Sequence, residues 1–128
     1  MSYCFSRKVE MSWDDAIAAV TEALAKEGFG IVSEINVTDT LRKKLGVEFR
    51  PYKILGACNP QFAQRAIEAE ANIGVMMPCN VVVQDFGSYV QVAAINPMVA
   101  MQSVGNADLE EFASAITARL QRVVESLP

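Results

Sequence analysis

Residues 81–95 read Val81-Val82-Val83-Gln84-Asp85-Phe86-Gly87-Ser88-Tyr89-Val90-Gln91-Val92-Ala93-Ala94-Ile95, and this stretch decides the fold. Three valines in succession predict a strand covered on both faces. Tyr89 to Ile95 predicts a second strand. Asp85-Phe86-Gly87-Ser88 between them has the composition of a hairpin turn, because glycine takes positive φ at little cost. A tight hairpin makes its two strands antiparallel.

Upstream, Pro78 opens this segment, and Asn72 and Gly74 close the one before it. Asn59-Pro60 is a strong helix start: an amide side chain caps, and the ring removes an N–H that has no partner there. Phe62, Ala63, Ala66 and Ile67 form that helix's expected inner face. Tyr52 to Ala57 reads as a strand, and so does Phe29 to Ile35. Between these two, Asn36 caps a short helix with Val37, Leu41 and Leu45 on one face, and Gly46 ends it. Earlier, Ser12 caps a helix carrying Trp13, Ile17, Val20 and Leu24, which Gly28 terminates. Tyr3, Phe5 and Val9 alternate with polar positions, as in a half-buried strand. Downstream, Pro97 ends the last strand. Asp108 and Glu111 have capping-box spacing ahead of a helix with Leu109, Phe112, Ile116, Leu120 and Val123 on one side.

The order is β-α-β-α-β-α-β-β-α over residues 1–128, with no linker, repeat or low-complexity stretch, so one domain is expected. The hairpin and mixed elements indicate the α+β class: a mainly antiparallel five-stranded sheet with helices on one face. An α/β arrangement with parallel crossovers is the alternative.

The composition narrows the function. Apolar residues make up 52% and charged residues 20% of the chain, which excludes disorder. Mean hydropathy is +0.20, which suits a rich core or a buried subunit interface. Histidine is absent, so no histidine base, nucleophile or metal ligand is available. The net charge is −4. The only basic cluster is Arg42, Lys43, Lys44, Arg50 and Lys53, read as a solvated face, so no nucleic-acid partner is expected. No apolar run reaches the length of a membrane span, since Asn96 and Pro97 interrupt the greasiest one. No membrane partner is expected, and the compartment expected is the cytoplasm. There Cys4, Cys58 and Cys79 would be thiols.

Two Cys-Asn pairs carry what chemistry the sequence offers: Cys58-Asn59-Pro60 and Cys79-Asn80. Cys58 precedes a helix start, where unpaired amides favour a thiolate. Cys79 follows Pro78 and enters a strand. Both also suit small core positions, as free cysteine often does. No C-x-x-C pair exists and no histidine completes a ligand set, so no metal site is expected. No Gly-rich phosphate loop is present, and no motif specifies a cofactor.

The segments Phe29 to Ile35, Leu41 to Gly46, Tyr52 to Pro60 and Met77 to Val83 resemble the bacterial and archaeal family known as domain of unknown function 302. Gly56-Ala57-Cys58-Asn59-Pro60 and Pro78-Cys79-Asn80-Val81-Val82 carry the resemblance, which runs from about residue 10 to the end. It implies a small α+β cytoplasmic domain that dimerises, and it implies no reaction. The family usually shows an acidic residue where this chain has Asn36, and often Asp-Pro where it has Asn96-Pro97. No carboxylate role is therefore available at either place.

The sequence thus leads to a homodimeric small-ligand-binding or accessory protein. Its site would comprise Cys58, Asn59, Pro60, Met76, Met77, Cys79 and Asn80, with the methionines as an adaptable apolar wall. The alternative is a thiol-based redox or sulfur-transfer enzyme, in which Cys58 attacks and Cys79 resolves.

Overall fold

The computed structural model describes residues 2–128. Its strands are β1 (Cys4–Val9), β2 (Gly30–Asn36), β3 (Tyr52–Cys58), β4 (Cys79–Asp85) and β5 (Val90–Ile95). They form one sheet in the order β1-β5-β4-β3-β2. Every neighbouring pair is antiparallel. The α+β class and the element order agree with the sequence reading, and the parallel alternative is excluded.

The β4–β5 hairpin closes as its composition demands. Gly87 has φ +98°. The Phe86 N–H donates to the Tyr89 carbonyl at 3.0 Å, and the Gly87 N–H donates to Asp85 Oδ1 at 2.8 Å. Val81, Val83, Val90, Val92 and Ala94 are buried. Val82 is only half-buried, because the sheet is covered on one face and not on both, as three successive valines suggested.

The helices are α1 (Trp13–Lys26), α2 (Val37–Leu45), α3 (Pro60–Ala69), α4 (Pro97–Met101) and α5 (Glu110–Glu125). Helices α1 and α5 supply Val20, Leu24, Leu120 and Val123 to the main core, against Leu55, Val81, Val83 and Val92. Burying one such aliphatic side chain stabilises the fold by about 1.5–3 kcal/mol. Arg122 ties the two helices together, with Nη2 2.9 Å from Glu27 Oε1. That hydrogen bond holds the Glu27 carboxyl below its ordinary range.

Three expectations need correction. Ile67 is 47% exposed, and Ala69 takes its place against a second, smaller core cluster around Ala66, Ile73 and Leu109. Asp108 does not cap the last helix: Asn106 accepts from the Asp108 N–H at 2.9 Å and caps a short 3₁₀ turn that leads into α5. Pro97 does more than end β5. Asn96-Pro97 starts α4, an element the sequence reading did not include.

Helix α2 forms where expected, with the Asp39 N–H donating to Asn36 Oδ1 at 3.0 Å and Gly46 at φ +66°. Its apolar stripe nevertheless finds no core, and none of its residues is buried. Nearby basic residues are engaged locally. Arg42 pairs with Asp39 and Glu48, and Lys53 with Glu34. Arg50 donates to Gln84 Oε1 and lies over the Phe49 and Phe86 rings.

Candidate functional site

Because the sheet is antiparallel, β3 and β5 finish at the end where β2 and β4 begin. Four chain connections therefore crowd one end of the sheet. The signature Gly56-Ala57-Cys58-Asn59-Pro60 sits there, and the fold explains most of it. A Cβ on Gly56 would lie 2.6 Å from Pro78 Cγ and would also collide with Ser33 Oγ, so only glycine fits. Ala57 is fully buried. The Asn59 side chain caps α3, accepting from the Phe62 N–H at 3.4 Å, and Pro60 takes the first helical turn. Cys58 is the one residue of the five whose type the packing does not dictate.

In Pro78-Cys79-Asn80, Pro78 closes over Gly56, and Cys79 stands opposite Ala57 in the β3–β4 register. Cys79 is thus one register step from Cys58, although 21 positions separate them in sequence. Asn80 pairs with Gly56 and is exposed.

A cleft with about 40 Å³ of free volume lies between these connections, α3 and α4. Cys58, Asn59, Met76, Met77 and Cys79 line it together with Met101. Phe29, Phe62 and Ile116 close it toward the main core. No acidic or basic residue lines it. Arg119 stands beside its wall: the guanidinium carbon is 5.4 Å from the centre of the Phe62 ring, and Nη1 donates to the Glu27 carbonyl at 2.9 Å.

This apolar setting governs the thiols. Burial, with the neighbouring Cys58 adding to it, pushes the Cys79 thiol up to about 11. At neutral pH Cys79 is therefore protonated, a weak donor rather than a nucleophile. All three cysteines are free. Cys4 pairs with Ile95 at the same end of the sheet but does not line the cleft. Among the described residues, no three His, Cys, Asp or Glu side chains gather as a metal-binding group.

Of the seven candidate residues, five meet at the cleft. Pro60 and Asn80 do not line it. The sequence reading missed Met101 and Ala100, which arrive on α4. The available signal was Asn96-Pro97, which repeats the Asn-Pro helix start of Asn59-Pro60. Asn96 is buried, accepts from the Met98 N–H at 3.2 Å and donates from Nδ2 to the Ser2 carbonyl at 3.1 Å. A carboxylate could make the first bond but not the second. Gly28 does more than terminate α1. Besides its φ of +86°, a Cβ there would lie 2.9 Å from Asn59 Nδ2.

Comparison with known proteins agrees with this architecture. A crystal structure of an uncharacterized conserved DUF302 protein from Bacillus stearothermophilus is similar over the whole of both chains, with a TM-score of 0.92 and 27% sequence identity. No curated protein matches the chain. No helix among the described residues is long and apolar enough to cross a membrane. The sequence model of the family matches residues 5–127, and the chain belongs to the family described as Domain of unknown function DUF302.

Proposed function

We propose that this protein binds a small, uncharged or soft ligand in the cleft between Cys58 and Cys79, and that it works as a homodimer. The observation that carries the ligand reading is a cleft free of charged side chains at the place where the packing leaves a signature residue, Cys58, without a structural job. Ligand sites are typically apolar with a few convergent polar groups, which is the character of this cleft. Its volume limits the guest. Drug-sized ligands need roughly 300–1,000 Å³, so a guest here has very few heavy atoms unless the methionine wall moves. Thioether side chains allow such movement.

Support for the homodimer comes from a different part of the chain. Between Phe29 and Leu55 no residue is buried. That segment nevertheless holds Val32, 64% exposed, and Leu45, 68% exposed, along with Ile35, Val47 and Phe49. A shared apolar surface on a second copy would cover them under two-fold symmetry. The register shift between Ile31 and Ser33 disturbs the free edge of β2. The contact would therefore be side-chain packing rather than a continued sheet.

The thiol-enzyme reading takes support from the register, which sets Cys58 and Cys79 side by side. The high pKa of Cys79 argues against its serving as a resolving thiolate at neutral pH. Native mass spectrometry of gently purified protein tests the ligand reading. The expected result is a stoichiometric small adduct that Ala100→Leu, by filling the cleft, removes. A bare chain mass in every gentle preparation contradicts it.

A further inference from the structure

The cleft gathers sulfur-bearing residues. The chain holds three cysteines and six methionines. Among the described residues, five that bear sulfur, Cys58, Cys79, Met76, Met77 and Met101, line this one small cleft. They come from three separate places: the end of β3, the segment leading into β4, and α4. No carboxylate, imidazole or cationic side chain lines the cleft with them.

We propose that the cleft is a binding site for a soft monovalent metal ion, copper(I), held by thiol and thioether sulfur. The inference rests on the reading of the cleft as a ligand site and names the ligand's class.

Four properties of the cleft favour this ion. The first is softness: thiolate and thioether ligands select Cu(I), whereas Mg²⁺, Ca²⁺ and Mn²⁺ need oxygen donors that this wall lacks. The second is donor type. Zinc takes four donors from Cys, His, Asp and Glu, and only two such residues line the cleft. The third is charge. One Cu(I) with one thiolate and neutral thioethers carries no net charge, the only kind of complex a cleft without counter-ions holds cheaply. The fourth is size. The cleft has about 40 Å³ of free volume, which suits a single ion.

Binding involves no oxidation. The incoming Cu(I) replaces the proton of a thiol: a copper–sulfur bond forms, a sulfur–hydrogen bond breaks, and one H⁺ leaves to solvent. The methionine sulfurs each donate a lone pair and lose nothing.

The test uses the reduced full-length protein under anaerobic conditions, titrated with Cu(I) against a chromophoric Cu(I) chelator. The expected result is one Cu(I) per chain, with one proton released and no competition from Zn(II). Cys58→Ser or Cys79→Ala, and separately the volume-conserving pair Met77→Leu with Met101→Leu, should each weaken binding by about tenfold or more, the scale on which metal sites lose affinity when even a supporting group is removed. Cys4→Ser should change nothing. The leucine pair keeps the wall apolar, so folding is checked by an unchanged urea midpoint. Parent-like Cu(I) binding by the folded leucine variant overturns the inference, and so does binding that follows Cys4. Xenon, an apolar probe of matching size, separates the two levels of the argument. If Cu(I) is refused while xenon enters, the metal assignment fails and the ligand cleft stands. If neither enters, both fail.

Discussion

Cys79 stands directly across from Ala57 in the β3–β4 ladder, one register step from Cys58. The chain leaves the sheet at Cys58, runs through α3 and a 3₁₀ segment, Ala71–Met76, and re-enters at the same end. The return places Cys79 against the apolar cleft and fixes its protonation. An unfolded cysteine ionises near pH 9, whereas the buried Cys79 thiol does so at about 11. Between these values the unfolded chain holds fewer protons than the folded one, so folding stability falls as pH rises.

The contribution is intact below pH 9 and is lost as pH rises through about 11, by up to about 3 kcal/mol at 1.4 kcal/mol per unit. Urea midpoints measured from pH 8 to 11 should therefore fall more steeply for the parent than for Cys79→Ala. Parallel slopes contradict the burial of this thiol. A short iodoacetamide pulse at neutral pH should likewise modify Cys79 more slowly than Cys58 or Cys4.

Gly28 and Asn59 form the second test. Gly28 has φ +86°, and a Cβ there would meet Asn59 Nδ2 at 2.9 Å. Gly28→Ala should cost about 1–2 kcal/mol for the left-handed backbone, plus the displacement of the amide. Asn59→Ala should cost about 1 kcal/mol through the lost cap. The two effects share one contact, so they should not add. The double variant should be more stable than the sum predicts, by about 0.5 kcal/mol or more, the usual scale for coupled neighbours. Strict additivity in urea unfolding would show that the amide does not restrict Gly28.

Much of this arrangement was legible in the sequence, and the reasons are local. Asn36, Asn59, Gly46 and Gly87 act through their own backbone neighbourhoods, so their turns and caps follow from residue type. The hairpin at Gly87 made the antiparallel sheet readable for the same reason. The meeting of Cys58 with Cys79 was not legible. A helix of ten residues spans about 15 Å, and its length alone does not say to which end of the sheet the chain returns. Met101 was missed because Pro97 read as a strand terminator, whereas with Asn96 before it the same proline starts α4. Helix α2 was placed correctly, but its apolar stripe implied a core contact that the single chain does not contain.

That exposed stripe leads to the third test. The chain should sediment at micromolar concentration as twice 13.9 kDa. Leu45→Glu with Val32→Glu should shift it to the monomer while the far-ultraviolet circular dichroism stays unchanged, because neither side chain contributes to the core. A parent protein that sediments as a monomer contradicts the proposed interface.

The central claim is that a small guest enters the cleft between the two Cys-Asn pairs. The most direct measurement is methyl NMR of protein labelled at the methionine methyl carbons, recorded with and without dissolved xenon. Apolar cavities of adequate size admit xenon. The account predicts saturable shifts of the Met76, Met77 and Met101 methyls, no shift of Met11, and loss of the effect in Ala100→Leu. Cleft methyls that stay still, or that shift only as much as Met11 does, would contradict it.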